Sequence, residues 1–254
     1  MKLTGNTLLI TGGGSGIGRG LAEAFLKLGN KVIIAGRRQS ALEQTAAANP
    51  GLLWLPLNID DPADIKAFAA KVAAEFPDLN VLVNNAGIMR RENLLAQQAD
   101  LADAMATIST NLLGPIRLTA AILPLLRRQP QSAVMNVTSG LAFVPLVPTP
   151  TYCATKAALH SYTQSLRYQL KNTTTQVLEL IPPYVATDLL DGAADPRAMP
   201  LDKFIAEVME IIRTQPHATE ICVENVKRLR FAAESGAYET VFQGFNDAMA
   251  KGPH

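Results

Sequence analysis

Short β-branched apolar segments alternate along this chain with longer alanine-rich segments, and this alternation limits the folds open to it. The segments typical of strands are Thr7–Thr11, Lys31–Ala35, Leu52–Leu57, Val81–Val83, Ala133–Thr138, Gln176–Ile181 and Glu220–Val223. The segments typical of helices are Gly16–Leu28, Ser40–Ala48, Pro62–Glu75, Asp100–Arg128, Thr151–Leu170 and Leu201–Arg213. Strand–helix alternation predicts an α/β fold, a parallel sheet covered by helices on both faces. Ligands of such sheets bind at the carboxyl ends of the strands.

Composition narrows the class of protein. With 254 residues and 48% hydrophobic content, we expect one globular domain spanning 1–254. The net charge of +1 and the lack of long basic tracts argue against binding to nucleic acid or to an anionic membrane. Pro115, Arg117 and Pro124 interrupt the longest apolar stretch, which argues against a membrane span. Two cysteines without metal-ligand spacing predict neither a disulfide framework nor a metal site. We therefore expect a cytoplasmic protein without a metal.

A glycine-rich segment follows the first strand and leads directly into a helix. Its glycines permit a tight turn and a close approach of backbone to a pyrophosphate, and the helix N-terminus offers N–H groups and a positive dipole end. A flexible loop without a ligand is the alternative, but the position between strand and helix favours phosphate binding. The residues expected to contact a cofactor here are Gly12, Gly14, Ser15, Gly16, Ile17 and Gly18.

The end of the second strand indicates which cofactor is bound. NAD sites usually place an Asp or Glu there, for the ribose 2′-hydroxyl. This strand instead ends in Gly36-Arg37-Arg38, and arginine pairs well with a phosphate. Arg37 and Arg38 therefore predict NADP(H). The alternatives are two surface arginines without a role and an NAD-linked alcohol dehydrogenase.

Tyr152 and Lys156 lie four residues apart, so on a helix their side chains share one face. An ammonium about 4 Å from a phenol contributes on the order of 4 kcal/mol at an effective dielectric of 20. This would lower the tyrosine pKa by about two units or more and make Tyr152 an acid and base near neutral pH. Taken alone, the spacing also fits a core tyrosine beside a surface lysine.

Several motifs together resemble those of the short-chain dehydrogenase/reductase family over nearly the whole chain. The matching residues are Thr11-Gly12-x3-Gly16-Ile17-Gly18, Asn84-Asn85-Ala86-Gly87, Asn111, Ser139, Tyr152 and Lys156. The resemblance implies a three-layer, doubly wound Rossmann fold with a seven-stranded parallel sheet. It also implies further cofactor contacts from Asn58, Ile59, Asn84, Ala86, Gly87, Tyr152, Lys156, Pro182, Val185 and Thr187.

The resemblance assigns roles to four catalytic residues. Tyr152 would pass a proton to a carbonyl oxygen as hydride arrives from the nicotinamide, or take it in the reverse direction. Lys156 would lower the tyrosine pKa and hold the nicotinamide ribose. Ser139 would hydrogen-bond the substrate oxygen. Asn111 would hold a water that links Lys156 to solvent.

The chain departs from the family pattern at three places. Asn58 stands where the family usually has Asp, and Pro183 stands where it usually has Gly. The tail lacks the usual final strand with its Asp-Gly-Gly turn and ends in a polar, helical segment. We therefore expect a homodimer through the helices Asp100–Arg128 and Thr151–Leu170 rather than a tail-mediated tetramer. The double proline and the tail resemble one bacterial branch, named for D-alanine esterification of lipoteichoic acid, although the name does not assign that pathway.

The substrate side is predicted to be mostly apolar. A loop at about 188–203 would close over the site, and Arg90 and Arg91 fit a solvated pair better than an anion site. The expected lining residues are Met89, Phe143, Val144, Leu146, Tyr184 and Leu189. The sequence thus predicts an NADP(H)-dependent oxidoreductase acting on a small-molecule carbonyl or alcohol. A catalytically idle NADP(H)-binding sensor or assembly partner is the alternative from another class.

Overall fold

Seven strands form one parallel sheet in the computed structural model, which describes residues 1–95, 101–189 and 195–250. The strands are β1 (Thr7–Thr11), β2 (Lys31–Gly36), β3 (Leu53–Pro56), β4 (Val81–Asn84), β5 (Ser132–Val137), β6 (Thr175–Ile181) and β7 (Glu220–Cys222). Their order across the sheet is β3-β2-β1-β4-β5-β6-β7, and every neighbouring pair is parallel. The predicted α/β fold is confirmed.

Helices cover both faces of the sheet. They are α1 (Gly16–Lys27), α2 (Gln39–Ala48), α3 (Pro62–Glu75), α4 (Ala102–Ile108), α5 (Gly114–Leu126), α6 (Pro150–Leu170), α7 (Leu201–Thr214), α8 (Glu224–Arg230) and α9 (Tyr238–Ala250). Successive strand residues point to opposite faces. In β1, Leu8 and Ile10 therefore pack with α1 and α7, whereas Leu9 packs with α3 and α5. The result is three layers.

The predicted helix Asp100–Arg128 is not continuous. A π-helical turn, Ser109–Leu113, separates α4 from α5, and Asp100 lies outside the described residues. Such turns widen the backbone locally and often occur at functional sites. Gly114, just after the turn, lies so close to Ile59 that an added Cβ would be 2.7 Å from its side chain. The π turn therefore sets how α5 docks on the loop after β3.

The stretch Ala102–Leu126 is long and apolar enough, by length and composition alone, to cross a membrane. Leu118, Ile122 and Leu126 in this stretch are buried in the core with β4 and α3. That packing is typical of a core helix of a globular domain.

The strand order reverses between β1 and β4, and this reversal opens a crevice at the carboxyl ends of the strands. Thr11 holds the two sides of the crevice together. Its hydroxyl oxygen accepts from the backbone N–H groups of Asn85 and Ala86, each at 3.0 Å. The loop after β1 and the loop after β4 therefore have a fixed relative position.

Candidate active site

A cleft of about 530 Å³ lies at the carboxyl ends of the strands. It is bounded by the loops that follow β1, β2, β3, β4, β5 and β6, as the topology predicts. The predicted site residues that line it are Gly12, Gly14, Ser15, Gly16, Ile17, Arg37, Arg38, Ile59, Ala86, Gly87, Ser139, Tyr152, Lys156, Pro182, Val185 and Thr187. Residues from distant parts of the chain thus meet in one cleft.

The glycine loop has a backbone that other residues adopt only with strain. Gly12 and Gly16 have φ of +68° and +52°, in the left-handed region. A Cβ on Gly12 would lie 2.9 Å from Cα of Ala86. Helix α1 begins at Gly16, and its capping residue Ser15 makes no side-chain bond to the first turn. The loop thus brings backbone close to the cleft at a helix N-terminus, the geometry that suits a phosphate.

The two arginines after β2 have different partners. Arg38 donates from Nη2 to Ser15 Oγ at 2.9 Å, so its guanidinium lies at the glycine loop. Arg37 forms an ion pair with Asp60, at 2.6 Å between Nη1 and Oδ2. Asp60 also accepts from the Thr110 hydroxyl at 2.6 Å. The segment after β2 contains no carboxylate, but the fold brings one to Arg37 from the loop after β3.

Ser139, Tyr152 and Lys156 meet at the inner end of the cleft. Tyr152 is buried and its hydroxyl hydrogen-bonds Ser139. The Lys156 ammonium donates to the Val137 carbonyl at 2.8 Å and lies 5.6 Å from the centre of the Tyr152 ring. The end of β5 and the first two turns of α6 therefore bring the three predicted side chains together.

The pKa of Tyr152 differs from the sequence-based prediction. Burial raises it above the ordinary value, and the hydrogen bond with Ser139 lowers it only in part. Burial also lowers the pKa of Lys156 to about 8. The prediction of a lowered tyrosine pKa is wrong for the chain's own residues, because desolvation of the buried phenol raises the pKa by more than the hydrogen bond with Ser139 lowers it.

Asn111 lies in the π turn and is fully buried. Its Oδ1 accepts from the Ile88 N–H and its Nδ2 donates to the Ile88 carbonyl, both at 2.8 Å. A Cβ on Gly87 would lie 3.3 Å from Asn111 Oδ1 and 3.8 Å from Lys156 Nζ. Asn111 therefore fixes the backbone after β4 and lies near Lys156. Because Gly87 has no side chain, the space beside these two residues is open. Asn111 does not line the cleft.

Three other predicted contacts are not among the residues that line the cleft. Gly18 lies beneath the glycine loop, where a Cβ would collide with the Gly12 carbonyl oxygen. Asn58 accepts through its side chain from the Asp60 N–H at 3.3 Å. Asn84 is buried between β5 and α5 and donates to side chains of both. Gly18 and Asn84 thus support the cleft from behind, whereas Asn58 is exposed in the loop after β3.

The part of the cleft beside Tyr152 is apolar. Met89, Leu146, Tyr152 and Cys153 form a buried cluster, against which side chains of the C-terminal helix α9 pack. Further apolar lining residues come from the loops after β5 and β6 and from α8, and they include Leu141, Leu189 and Leu229. The predicted loop at about 188–203 lies partly outside the described residues, at 190–194, and its last residues form the start of α7.

Two residues expected at the substrate lie elsewhere. The Phe143 ring contacts His160, with 4.7 Å between ring centres, and the Arg230 guanidinium lies 4.5 Å from the Phe143 centre. Val144 is fully buried beside Val241 of α9. The backbone turn after Ser139 directs both side chains away from the cleft, so the prediction was wrong for them.

Phe245 and Met249 of α9 line the cleft and were not predicted there. Val241 and these two residues recur every fourth position, which is the spacing of one helix face. That spacing was a readable signal for an amphipathic helix. It did not indicate what the face covers.

A buried carboxyl group lies directly behind the site. Glu179 of β6 has no exposed surface, accepts from the Thr138 hydroxyl at 2.7 Å and bonds His160 Nδ1 at 2.9 Å. Glu220 lies beside this pair and forms an ion pair with Arg230, at 2.7 Å between Nε and Oε2. The guanidinium supplies the positive charge that a metal ion would supply, so we interpret the cluster as an ion-pair network.

The family model described as short chain dehydrogenase matches residues 6–198. The chain is 38% identical to "Uncharacterized oxidoreductase DltE" of Bacillus subtilis (strain 168) over 251 residues, which cover 97% of this chain and 98% of the relative. This confirms the predicted bacterial branch.

Two further relatives differ in the cofactor that they name. An "NADP-dependent 3-hydroxy acid dehydrogenase" of Schizosaccharomyces pombe is 33% identical over 193 residues, which cover 74% of each chain. The crystal structure of a 3-ketoacyl-(acyl-carrier-protein) reductase from Brucella melitensis, complexed with NADH, superposes with a TM-score of 0.78. It is 27% identical, and the match covers 88% of this chain and 98% of that one.

Proposed function

The chain belongs to the short-chain dehydrogenase family, and on that premise we propose that it is an NADP(H)-dependent oxidoreductase acting on a carbonyl or alcohol substrate. One observation carries the proposal. The Tyr152 hydroxyl, hydrogen-bonded to Ser139 and one helical turn from Lys156, lies at the inner end of a cleft that begins at a glycine loop. The bound cofactor would supply or accept the hydride.

The chain's own residues would handle the proton. Because burial raises the pKa of Tyr152, its hydroxyl is protonated at neutral pH and is a donor in the direction of carbonyl reduction. Ser139 would hydrogen-bond the same substrate oxygen as negative charge develops on it. Lys156, with a pKa lowered to about 8, is still about nine-tenths charged at pH 7 and would stabilise the tyrosinate that remains.

The residues of the cleft fit a dinucleotide. The left-handed glycines and the start of α1 suit a pyrophosphate, and Thr187 closes this part because its methyl lies 3.3 Å from where a Gly16 Cβ would be. Arg38 is the better placed of the two arginines for a 2′-phosphate, because it already bonds Ser15 of the glycine loop. The charge of Arg37 is partly balanced by Asp60. Arg38 therefore supports NADP(H), with Arg37 in a lesser role.

The cofactor proposal is tested by titrating NADPH and NADH, with energy transfer from Trp54, the chain's one tryptophan, as the signal. Arg38→Ala is expected to weaken NADPH binding by about tenfold to a hundredfold and to leave NADH binding unchanged, because one charge-assisted contact to a phosphate contributes about 1.5–3 kcal/mol. Arg37→Ala is the matched control, with a smaller effect. Equal losses for both cofactors would assign Arg38 a structural role and contradict the NADP preference.

The reaction is tested with Tyr152→Phe. This variant keeps the ring and loses the hydroxyl, so turnover of every carbonyl compound should cease while NADPH binding is retained. Normal activity in the variant would refute Tyr152 as the acid and base. Tight NADPH binding by the wild type without turnover across a broad panel of ketones and aldehydes would instead favour the idle sensor.

We also propose a cytoplasmic homodimer formed through α4, α5 and α6. The support is apolar surface on α4 and α6, where Met105 and Tyr168 are 64% and 69% exposed. Sedimentation equilibrium would report the mass, and replacing both residues with lysine should yield monomers if this surface is the interface. A dimer that persists in the double variant would contradict it.

A further inference from the structure

We infer that the C-terminal helix α9 forms the outer wall of the substrate site and limits it to carbonyl compounds or alcohols with apolar substituents. The inference rests on the proposed function and extends it by naming a substrate class and the residues that select it. It starts from an apolar surface at the catalytic tyrosine that contains side chains of α9.

One face of α9 is directed at the site. Val241 is buried beside Val144 and Ala232 and anchors the start of the helix. One and two turns later, Phe245 and Met249 pack on the cluster that contains Tyr152 and also line the cleft. Both side chains are only partly buried by the chain itself. Their remaining apolar surface faces the space beside the tyrosine.

Asn246 fixes the position of this face. Its Nδ2 donates to the Pro145 carbonyl at 3.0 Å, and its Oδ1 accepts from the Val147 N–H at 2.8 Å. Both partners lie in the loop 143–149, which joins Ser139 to α6 and thus to Tyr152. Two hydrogen bonds from one side chain set the register of α9 on this loop. Asn246 is therefore a positioning residue for its neighbour Phe245.

A second attachment joins α9 to the segment after β6. Arg197 donates from Nη1 to the Ala248 carbonyl at 3.1 Å and forms an ion pair with Asp195. The Tyr184 hydroxyl, from a residue that lines the cleft, also bonds Asp195, at 3.3 Å. Hydrogen bonds with Arg197 lower the pKa of Asp195 to about 2, so the pair stays ionised at neutral pH. The helix is thus held from both sides of the site.

The chemistry of the wall selects the substrate. The side chains beside Tyr152 are those of Met89, Leu146, Phe245 and Met249, and a polar or charged substituent placed among them would lose its hydration without gaining a partner. Arg90 lies at the exposed rim, 54% exposed and 3.6 Å from Asp103. An apolar substituent of the substrate instead increases the affinity about fourfold for each methylene that is buried.

The test measures kcat/KM at saturating NADPH for straight-chain 2-ketones of increasing length, and for 2-oxo acids of matched length. We expect kcat/KM to rise about fourfold per methylene until the pocket is filled, and the 2-oxo acids to be poorer by at least tenfold. Phe245→Ala should shift the optimum to longer or branched ketones. Asn246→Ala should raise KM and flatten the length dependence while kcat changes little, because the wall is displaced and the chemistry is not.

Gln243→Ala is the matched control. Gln243 lies on the exposed face of α9, and its side chain donates to Glu239 on the same helix, so the wild-type length profile should be kept. NADPH affinity, read from Trp54, should be unchanged in all three variants. If Phe245→Ala keeps the wild-type ranking, or if 2-oxo acids are preferred, the inference is overturned while the oxidoreductase proposal stands. Absence of turnover with every compound would overturn both.

Discussion

Replacing Lys156 with methionine is expected to stabilise the fold at neutral pH while it removes a residue of the proposed active site. Lys156 is 4% exposed, and burial lowers its pKa from 10.5 to about 8. At about 1.4 kcal/mol per pKa unit, keeping the ammonium buried costs about 3 kcal/mol. Methionine fills a similar volume but loses the hydrogen bond to the Val137 carbonyl, which contributes about 1 kcal/mol. The expected net gain at pH 7 is about 2 kcal/mol.

The lowered pKa of Lys156 determines how the stability difference between the variant and the wild type changes with pH. Because the folded-state pKa lies below the unfolded one, the cost of burying Lys156 is present in full below about pH 8. This cost falls as the pH rises through the pKa of Lys156 in the folded state, and it disappears above the pKa of about 10.5 in the unfolded state. Lys156→Met should therefore be more stable than the wild type at pH 7 and less stable by about 1 kcal/mol near pH 10.5, because only the lost hydrogen bond remains.

Urea denaturation of both proteins at pH 7, 8, 9 and 10 measures this difference. Lys66→Met is a suitable control, since Lys66 is exposed on α3 and the free energy of unfolding should change by less than about 0.5 kcal/mol at each pH. A stability difference for Lys156→Met that is the same at every pH would refute the reasoning. A variant that is less stable than the wild type at pH 7 would refute it as well.

Other substitutions probe the packing behind the cleft. Gly18→Ala places a Cβ against the Gly12 carbonyl oxygen, and should lower the free energy of unfolding by about 1–3 kcal/mol and weaken NADPH binding in a Trp54 titration. Glu179→Leu removes the buried partner of His160, and should cost about 3 kcal/mol in urea denaturation, with Glu179→Gln recovering part of the loss. Thr11→Val removes the acceptor of two backbone N–H groups, and should cost about 2 kcal/mol with a lowered thermal midpoint.

The strands could be predicted from the sequence because a parallel sheet is buried on both faces, so that its strands are apolar throughout. Segments such as Val32-Ile33-Ile34-Ala35 are apolar throughout, so their β-branched residues mark them clearly. The glycine loop could be read for a similar reason, since only glycine permits that backbone beside a second loop. Both signals are local in the chain.

The features of the site that the sequence did not predict depend on contacts between distant segments of the chain. Asp60 meets Arg37 only because the loop after β3 passes the end of β2. The pKa of Tyr152 depends on how completely other elements exclude water from its hydroxyl. The spacing of Val241 and Phe245 predicts a helix face but not the surface, about 100 residues earlier, on which it packs. Local sequence patterns predict the secondary-structure elements, whereas contacts between distant residues and pKa values depend on the assembled fold.

The pairing of β1 with β4 has a consequence for folding kinetics. The Thr11 hydroxyl hydrogen-bonds backbone N–H groups 74 and 75 residues further along the chain, and Gly12 packs closely against the same segment. Contacts this distant in sequence form late, because loop closure costs entropy before any contact is gained. The glycine loop therefore takes its final shape only when β4 has docked. A bound dinucleotide should accordingly slow unfolding of this protein without speeding its folding.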